Sequence, residues 1–352
     1  MNRGRQAFLI PNSSFLIPFS YLCRMMRKCV AAALGCLLLL LVACQGKQQE
    51  QQEAYVSSAP VFSEDSAWVY VAAQTAFGPR VPGSAAHDSC GLWIARTFER
   101  FGAQVTLQQA QVKLYDGTDV PCTNIVASYL PESSRRILLA AHWDSRPWAD
   151  NDPDAAYHHT PIDGANDGAS GVAVLLELAR QLQQEAPSVG IDLLCFDVED
   201  CGTPQWEEEE RLHQDKHWCL GAQYWAAQPH TDGYTATYGI LLDMVGGVDC
   251  EFQLEGFSRR MAPRVLDKVW AAAHRIGYGE VFVYQDGSYV TDDHLQVNQR
   301  EIPCIDIIAT DKEEGGFCRT WHTMLDNLGH ISRSTLKAVG QTVTEVVYTE
   351  TP

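Results

Sequence analysis

Apolar strand-like runs alternate with amphipathic helical ones along a chain of 352 residues that is 46% hydrophobic. That alternation predicts an α/β protein: a single domain with a central mixed, mostly parallel β-sheet and helices on both faces. Acidic and histidine residues also gather just past the ends of the apolar runs, which is where open α/β sheets bind their ligands. Neither an internal repeat nor a second domain boundary breaks the pattern, so the folded part is expected to be one domain, 61–352.

The elements follow in order. Residues 63–77 and 87–101 read as two helices separated by "GPRVPGS", whose Pro and Gly punctuate the backbone. Strands are then predicted at 104–114, 123–130, 136–142, 191–196, 239–244, 281–284 and 302–308 from their alternating or continuous apolar patterns. Helices intervene at 168–184, 217–228, 263–276 and 332–347.

The N-terminal region is set apart from the fold. Met26-Arg27-Lys28 is a short positive segment, 30–42 is an apolar run too short to span a bilayer comfortably, and Leu41-Val42-Ala43-Cys44 ends in small residues. The tetrapeptide resembles a bacterial lipobox. It implies that 1–44 is a leader with Met25 or Met26 as initiator, and that Cys44 anchors the protein by lipid in the cell envelope, on the periplasm-facing outer membrane. Residues 45–60, rich in Gln, Ser and Glu, are then a flexible tether.

A net charge of -18 with no basic stripe argues against a nucleic-acid partner. Eight cysteines remain outside the leader: Cys90, Cys122, Cys195, Cys201, Cys219, Cys250, Cys304 and Cys318. None forms a C-x-x-C pair, so a structural cysteine-type zinc site is not expected. Cys201 and Cys219 flank one loop and are expected to close it as a disulfide if the compartment is oxidising.

The groups after the strands are "AAHWDSRP", "CFDVEDCG" and "LLDMVGG", with "VTDDHLQ" and "RTWHTMLDN" on loops. They supply His142, Asp144, Glu199, Asp200, Asp243, Asp292, Asp293 and His322, and Asp167 stands before the helical run in "GANDGASG". Histidine and carboxylate are the zinc ligands available when thiolates are absent. In "DVED", one acid can bind metal while its neighbour handles protons. Asp167 alone also fits a helix N-cap. Three other groups read as structural: the acid run 207–210; Asp150, Asp152 and Asp154, which lack the Gly and distal Glu of an EF-hand; and His213 with His217, which lack the zincin Glu.

Taken in order, His-x-Asp, "NDGASG", "FDxED", "LLDM", "DDH" and "WHT" resemble the zinc-dependent aminopeptidase superfamily (M28 type) that includes the glutaminyl cyclases, and most of all its bacterial glutaminyl-peptide cyclotransferases. The resemblance spans 63–347. It implies one zinc ion (Zn2+) per chain, held by Asp167, Asp200 and His322, with Glu199 as catalytic acid/base. Asp243 and Asp292 are implied to bond to that Glu, and Trp206 and Trp321 to line the substrate pocket. Asp200 stands where animal relatives carry Glu, and Asp306 where they carry His.

The implied reaction converts the N-terminal glutamine of a peptide or protein to pyroglutamate with release of ammonia. A two-zinc exported aminopeptidase is the competing reading, with His142 and Asp243 holding a second metal and Asp167 bridging. The aromatic residues and the double acid of "DDH" favour the cyclase. An inactive peptide-binding lipoprotein is the third reading.

Overall fold

The computed structural model describes residues 24–26, 55–207, 216–311 and 316–352. The leader with Cys44, most of the expected tether, the acids at 208–210 and His213 lie outside the described residues. The chain divides into Met1–Ala54 and Tyr55–Pro352, and the second unit carries the architecture below.

Its strands are β1 (Gln104–Lys113), β2 (Asp119–Tyr129), β3 (Arg136–His142), β4 (Gly190–Phe196), β5 (Gly239–Asp243), β6 (Cys250–Leu254), β7 (Phe282–Asp286) and β8 (Cys304–Asp311). The helices are α1 (Glu64–Thr75), α2 (Ala85–Arg100), α3 (Ala169–Gln184), α4 (Leu220–Ala227), α5 (Gly256–Met261), α6 (Pro263–Arg275), α7 (His294–Gln299) and α8 (Arg333–Tyr348). All eight strands form one sheet in the order β1-β2-β4-β3-β5-β8-β6-β7. The four central strands β4, β3, β5 and β8 are mutually parallel, while β1, β2 and the β6/β8 pair are antiparallel.

Strands β3 and β4 read as unbroken apolar runs because both of their faces are covered. Leu139 and Ala141 of β3 enter the large core with Ile191, Leu193 and Cys195 of β4. The alternate residues Leu138, Ala140, Leu194 and Phe196 join Trp225 of α4 in the core on the other face. Successive side chains point to opposite faces, so both sets are buried.

Helix starts follow capping chemistry. The hydroxyls of Ser63, Ser84 and Ser332 accept from the backbone N–H three residues on, at 3.1 to 3.2 Å. Helix α3 differs: its cap position is Gly168, with no side-chain bond. Asp167 is therefore not a helix cap, and its carboxylate is free for other work.

Three short elements escape the sequence pattern. β6, α5 and α7 are five or six residues each, below the length at which periodicity is legible. Residues 55–60 also depart from the expected tether, because they dock on α8. The Tyr55 hydroxyl reaches Glu345 Oε1 at 2.5 Å, Ser57 bonds the same carboxylate, and the Pro60 carbonyl accepts from Gln341 Nε2 at 2.9 Å.

Candidate active site

Parallel pairing sets His142 beside Phe196 and Asp243 beside Ile308. The carboxyl ends of β3, β4 and β5 thereby share one edge of the sheet, and the loops leaving that edge carry the candidate residues. Backbone strain marks the same places. Val198, Met244 and His322 have positive φ of 53°, 49° and 56°, a region costly for residues other than Gly, above all β-branched Val. These residues lie beside Glu199, beside Asp243 and at a candidate ligand.

Asp167, Asp200 and His322 each bring one ligand atom to within 4.8 Å of the others, and all three are buried. His322 Nε2 lies 3.1 Å from Asp200 Oδ1 and 3.7 Å from Asp167 Oδ2. Asp200 Oδ2 and His322 Nε2 make no hydrogen bond, although buried polar atoms ordinarily do. Burial pushes the Asp200 carboxyl up to about 8 despite Arg146 beside it. Two buried carboxylates and an imidazole, with Asp200 Oδ2 and the His322 ring nitrogens left without a hydrogen bond, fit a zinc ion, which favours their deprotonated forms.

A second set of carboxylates orients the first. Asp144 accepts the backbone N–H of Glu199 and of Asp200, each at 3.1 Å. Asp326 does the same for Asn166 at 2.7 Å and Asp167 at 3.1 Å. Asp150, read from sequence as structural only, has Oδ1 3.5 Å from His322 Nδ1, the carboxylate–histidine arrangement of metal sites. Arg146 in turn grips both oxygens of Asp150 at 2.7 and 2.6 Å and donates to the Asp200 carbonyl at 3.0 Å. Nothing in the spacing of Asp150 or Asp326 announces these roles, since their partners come from distant loops.

The small residues of "NDGASG" make room for the protein itself. A Cβ on Gly168 would come within 2.6 Å of the His142 ring, and one on Gly171 within 2.3 Å of the Leu242 carbonyl oxygen.

Glu199 is buried beside the triad and faces a cavity of about 250 Å³ that Asp243, Asp292, Trp218, Trp321 and Phe317 also line. Burial drives the Glu199 carboxyl well above the usual carboxylate range, opposed by His142 and reinforced by Asp292 and Asp200. Asp292 is pushed up to about 7 by burial and by Asp243. Like charges this close do not all ionise, so the cluster shares protons near neutrality. Asp292 faces the cavity, whereas Asp293 stays behind it, fully buried.

Three expectations change. Asp243 pairs with His142 Nε2 at 3.2 Å and Asp292 Oδ1 accepts from the Asp293 N–H at 2.5 Å, while neither bonds to Glu199. The partner of Glu199 is instead the Cys219 thiol, which donates to Oε1 at 3.3 Å. Cys219 and Cys201 are both free thiols, so the expected disulfide does not form. Trp206 does not line the cavity. It is 36% exposed and packs on His159 and Trp148, with ring centroids at 4.3 and 5.9 Å. Trp218 takes the expected place, parallel to the His322 ring at 5.9 Å, while Trp321 stacks on that ring at 3.8 Å. Asp306 lies behind Asp292, fully buried, and burial and Asp292 raise its carboxyl well above the usual range.

An acid–histidine triad at the carboxyl edge of a mixed sheet, with an unligated carboxyl beside it, defines a metal-dependent enzyme of the zinc-exopeptidase kind. Residues 124–347 match the profile of peptidase family M28, and the chain belongs to that family. It is similar to the glutaminyl cyclase of Bacteroides thetaiotaomicron, solved with N-acetylhistamine, at 54% identity and a TM-score of 0.81 over 83% of this chain and 100% of that one. A Zn-dependent exopeptidase from Parabacteroides distasonis matches at 52% identity and a TM-score of 0.81, over 83% of this chain and 100% of that one. The glutaminyl-peptide cyclotransferase-like protein of Bos taurus is 28% identical over 233 residues, 61% of this chain and 57% of its own length. The chain thus spans under two thirds of the length of that curated relative.

Proposed function

We propose that the protein is a glutaminyl-peptide cyclotransferase that closes the N-terminal glutamine of peptides and proteins to pyroglutamate and releases ammonia. The observation that carries this reading is Glu199. It sits next to the ligand Asp200 in sequence, stays out of the ligand triad, and faces an aromatic-walled cavity with its proton affinity raised. The similarity to bacterial glutaminyl cyclases at about half identity supports it.

Cyclisation uses the substrate's own amine against its own side-chain amide, so intramolecular attack already carries a large effective-molarity advantage. What remains is proton handling and charge. A zinc ion held by Asp167, Asp200 and His322 would supply Lewis-acid stabilisation of the γ-carbonyl oxygen. Glu199 takes a proton from the α-ammonium, whose pKa near ~8 leaves it mostly charged at neutral pH. The freed amine forms the ring bond to the side-chain carbonyl carbon, Glu199 passes its proton to the amide nitrogen as that C–N bond breaks and ammonia leaves, and the ionised Glu199 then accepts the second amine proton, leaving the neutral lactam. Burial raises the Glu199 carboxyl and the charge of nearby Asp292 raises it further, so the two acids share a proton near neutrality. Trp218 and Trp321 line the cavity that Glu199 faces.

We read the metal count as one per chain. His142 is buried, and although burial disfavours its charge, Asp144, Asp167 and Asp243 raise its pKa well above the ordinary value. The same geometry carries the competing two-zinc aminopeptidase reading, because His142, Asp167 and Asp243 themselves converge within 4.8 Å. Incubating the zinc-loaded protein with a Gln-Ala peptide separates the readings by mass spectrometry. Loss of ammonia supports the cyclase, loss of the first residue the peptidase, and an unchanged peptide a binding protein.

The "LVAC" motif supports lipid attachment at Cys44 and display in the bacterial envelope, on the periplasmic side of the outer membrane. Labelling with a palmitate analogue that disappears in Cys44→Ala is the expected result.

A further inference from the structure

Glu199, Cys219 and Asp292 bring two carboxylate oxygens and a thiol sulfur to within 4.8 Å of one another, and all three residues are buried. We propose that they form an inhibitory site for a second, thiophilic metal ion, zinc or cadmium in excess, which silences the enzyme by occupying its proton carrier. The inference rests on Glu199 as the acid/base of the proposed reaction. The site shares no residue with the triad of Asp167, Asp200 and His322, nor with the group of His142, Asp167 and Asp243.

Three observations carry it. First, the spacing is that of a metal site. Cys219 Sγ lies 3.3 Å from Glu199 Oε1. In a tetrahedral zinc site a sulfur at about 2.3 Å and an oxygen at about 2.0 Å from the ion stand ~3.5 Å apart. An ion can therefore replace the thiol proton with little movement of either ligand. The ligating form of cysteine is the thiolate, so that proton passes to solvent as the metal–sulfur bond forms.

Second, a third ligand is ready. Asp292 is 3% exposed, yet its Oδ2 accepts no hydrogen bond, whereas buried polar atoms ordinarily have a partner. Third, the site has an entrance. Glu199 and Asp292 both line the catalytic cavity, as does Trp218 next to Cys219, so an ion arrives by the route the substrate takes.

The order of filling follows from the sulfur. Burial and the charges of Glu199, Asp293 and Asp292 hold the Cys219 thiol well above its ordinary range. It keeps its proton until an ion draws it off, while the triad has no thiol to deprotonate. The triad therefore fills first and the second site takes the excess. Thiolate ligation also sets the choice of ion, since sulfur favours zinc and cadmium over magnesium and calcium, which prefer oxygen.

The test titrates the protein carrying one zinc per chain with free zinc, cadmium or magnesium. It follows ammonia release from a Gln-Ala peptide together with the ultraviolet thiolate-to-cadmium charge-transfer band. Excess zinc or cadmium should lower turnover by ~10²- to 10⁴-fold at saturation, the share of a general acid–base group, and magnesium should not. The cadmium band should rise in step with inhibition. Cys219→Ser and Cys219→Ala remove the sulfur, so the band should vanish and half-inhibition should need at least ~10-fold more cadmium, the lower end of what losing even an outer partner costs a metal site. His142→Ala should retain both effects. A cadmium band that is absent or survives both Cys219 variants overturns the site, and so does inhibition relieved by His142→Ala instead. A Cys219-dependent band without inhibition overturns its inhibitory role. If no ammonia is released before metal is added, the cyclase reading fails, and the band in wild type against the Cys219 variants still decides whether the site exists.

Discussion

Asp144→Asn perturbs the support beneath the catalytic loop without replacing a proposed ligand or a residue that lines the cavity. Each oxygen of Asp144 accepts one backbone N–H, from Glu199 and from Asp200, and Oδ1 lies 3.4 Å from His142 Nδ1. The carboxyl is ionised at neutral pH: burial raises its pKa, but His142 and the two N–H donors pull it below the ordinary value. Asparagine keeps one acceptor and turns an amide NH2 toward the other N–H. One charge-assisted bond worth about 1.5–3 kcal/mol is lost, the second is weakened, and a buried donor is left unpaired. The expected loss is about 3 kcal/mol, a large part of the ~5–15 kcal/mol that holds a typical protein folded.

Urea denaturation at pH 7 should show this as a lower midpoint with an unchanged slope. A native pKa below the unfolded value means the stabilisation is present above about 4 and is lost as the pH falls through the native pKa. The gap between wild type and variant should therefore narrow on acidification. Turnover should fall by about 100-fold, because the backbone that aims Glu199 is no longer held. A variant within ~0.5 kcal/mol of wild type, the range of an ordinary surface substitution, and with full turnover would refute the reasoning.

Glu199→Gln should retain zinc and lose ~10²- to 10⁴-fold in turnover. Asp200→Ala should lose metal and activity together and recover partly when zinc is added; the opposite pattern of metal retention would show the two roles exchanged. His142→Ala should leave zinc near one per chain by elemental analysis, and a fall from two to one would favour the aminopeptidase reading. Arg146→Lys breaks the two-pronged grip on Asp150, so zinc affinity measured by chelator competition should weaken by ~10- to 100-fold through His322; unchanged affinity would mean that Arg146 does not position the ligand.

The sequence by itself determined the α/β class, the central strands and most of the helices, because β3, β4 and β8 are apolar runs of seven or eight residues, β5 is a short but unbroken apolar one, and the longer helices carry caps or clear periodicity. It also gathered acids and histidines past strand ends, on loops and at the start of a helix, and the family resemblance singled out Asp167, Asp200, His322 and Glu199 among them. Short elements such as β6 and α7 were not legible, since five or six residues do not establish a period. Only the tertiary structure decided the partners. Asp326 holds the Asp167 loop from 159 positions away, Cys219 rather than Asp243 bonds Glu199, and Trp218 rather than Trp206 walls the cavity. The physical reason is that a hydrogen bond or a stacked ring depends on where a loop returns in space, and hydrophobic patterning specifies the layers of a sheet without specifying the return path of the loops that leave it.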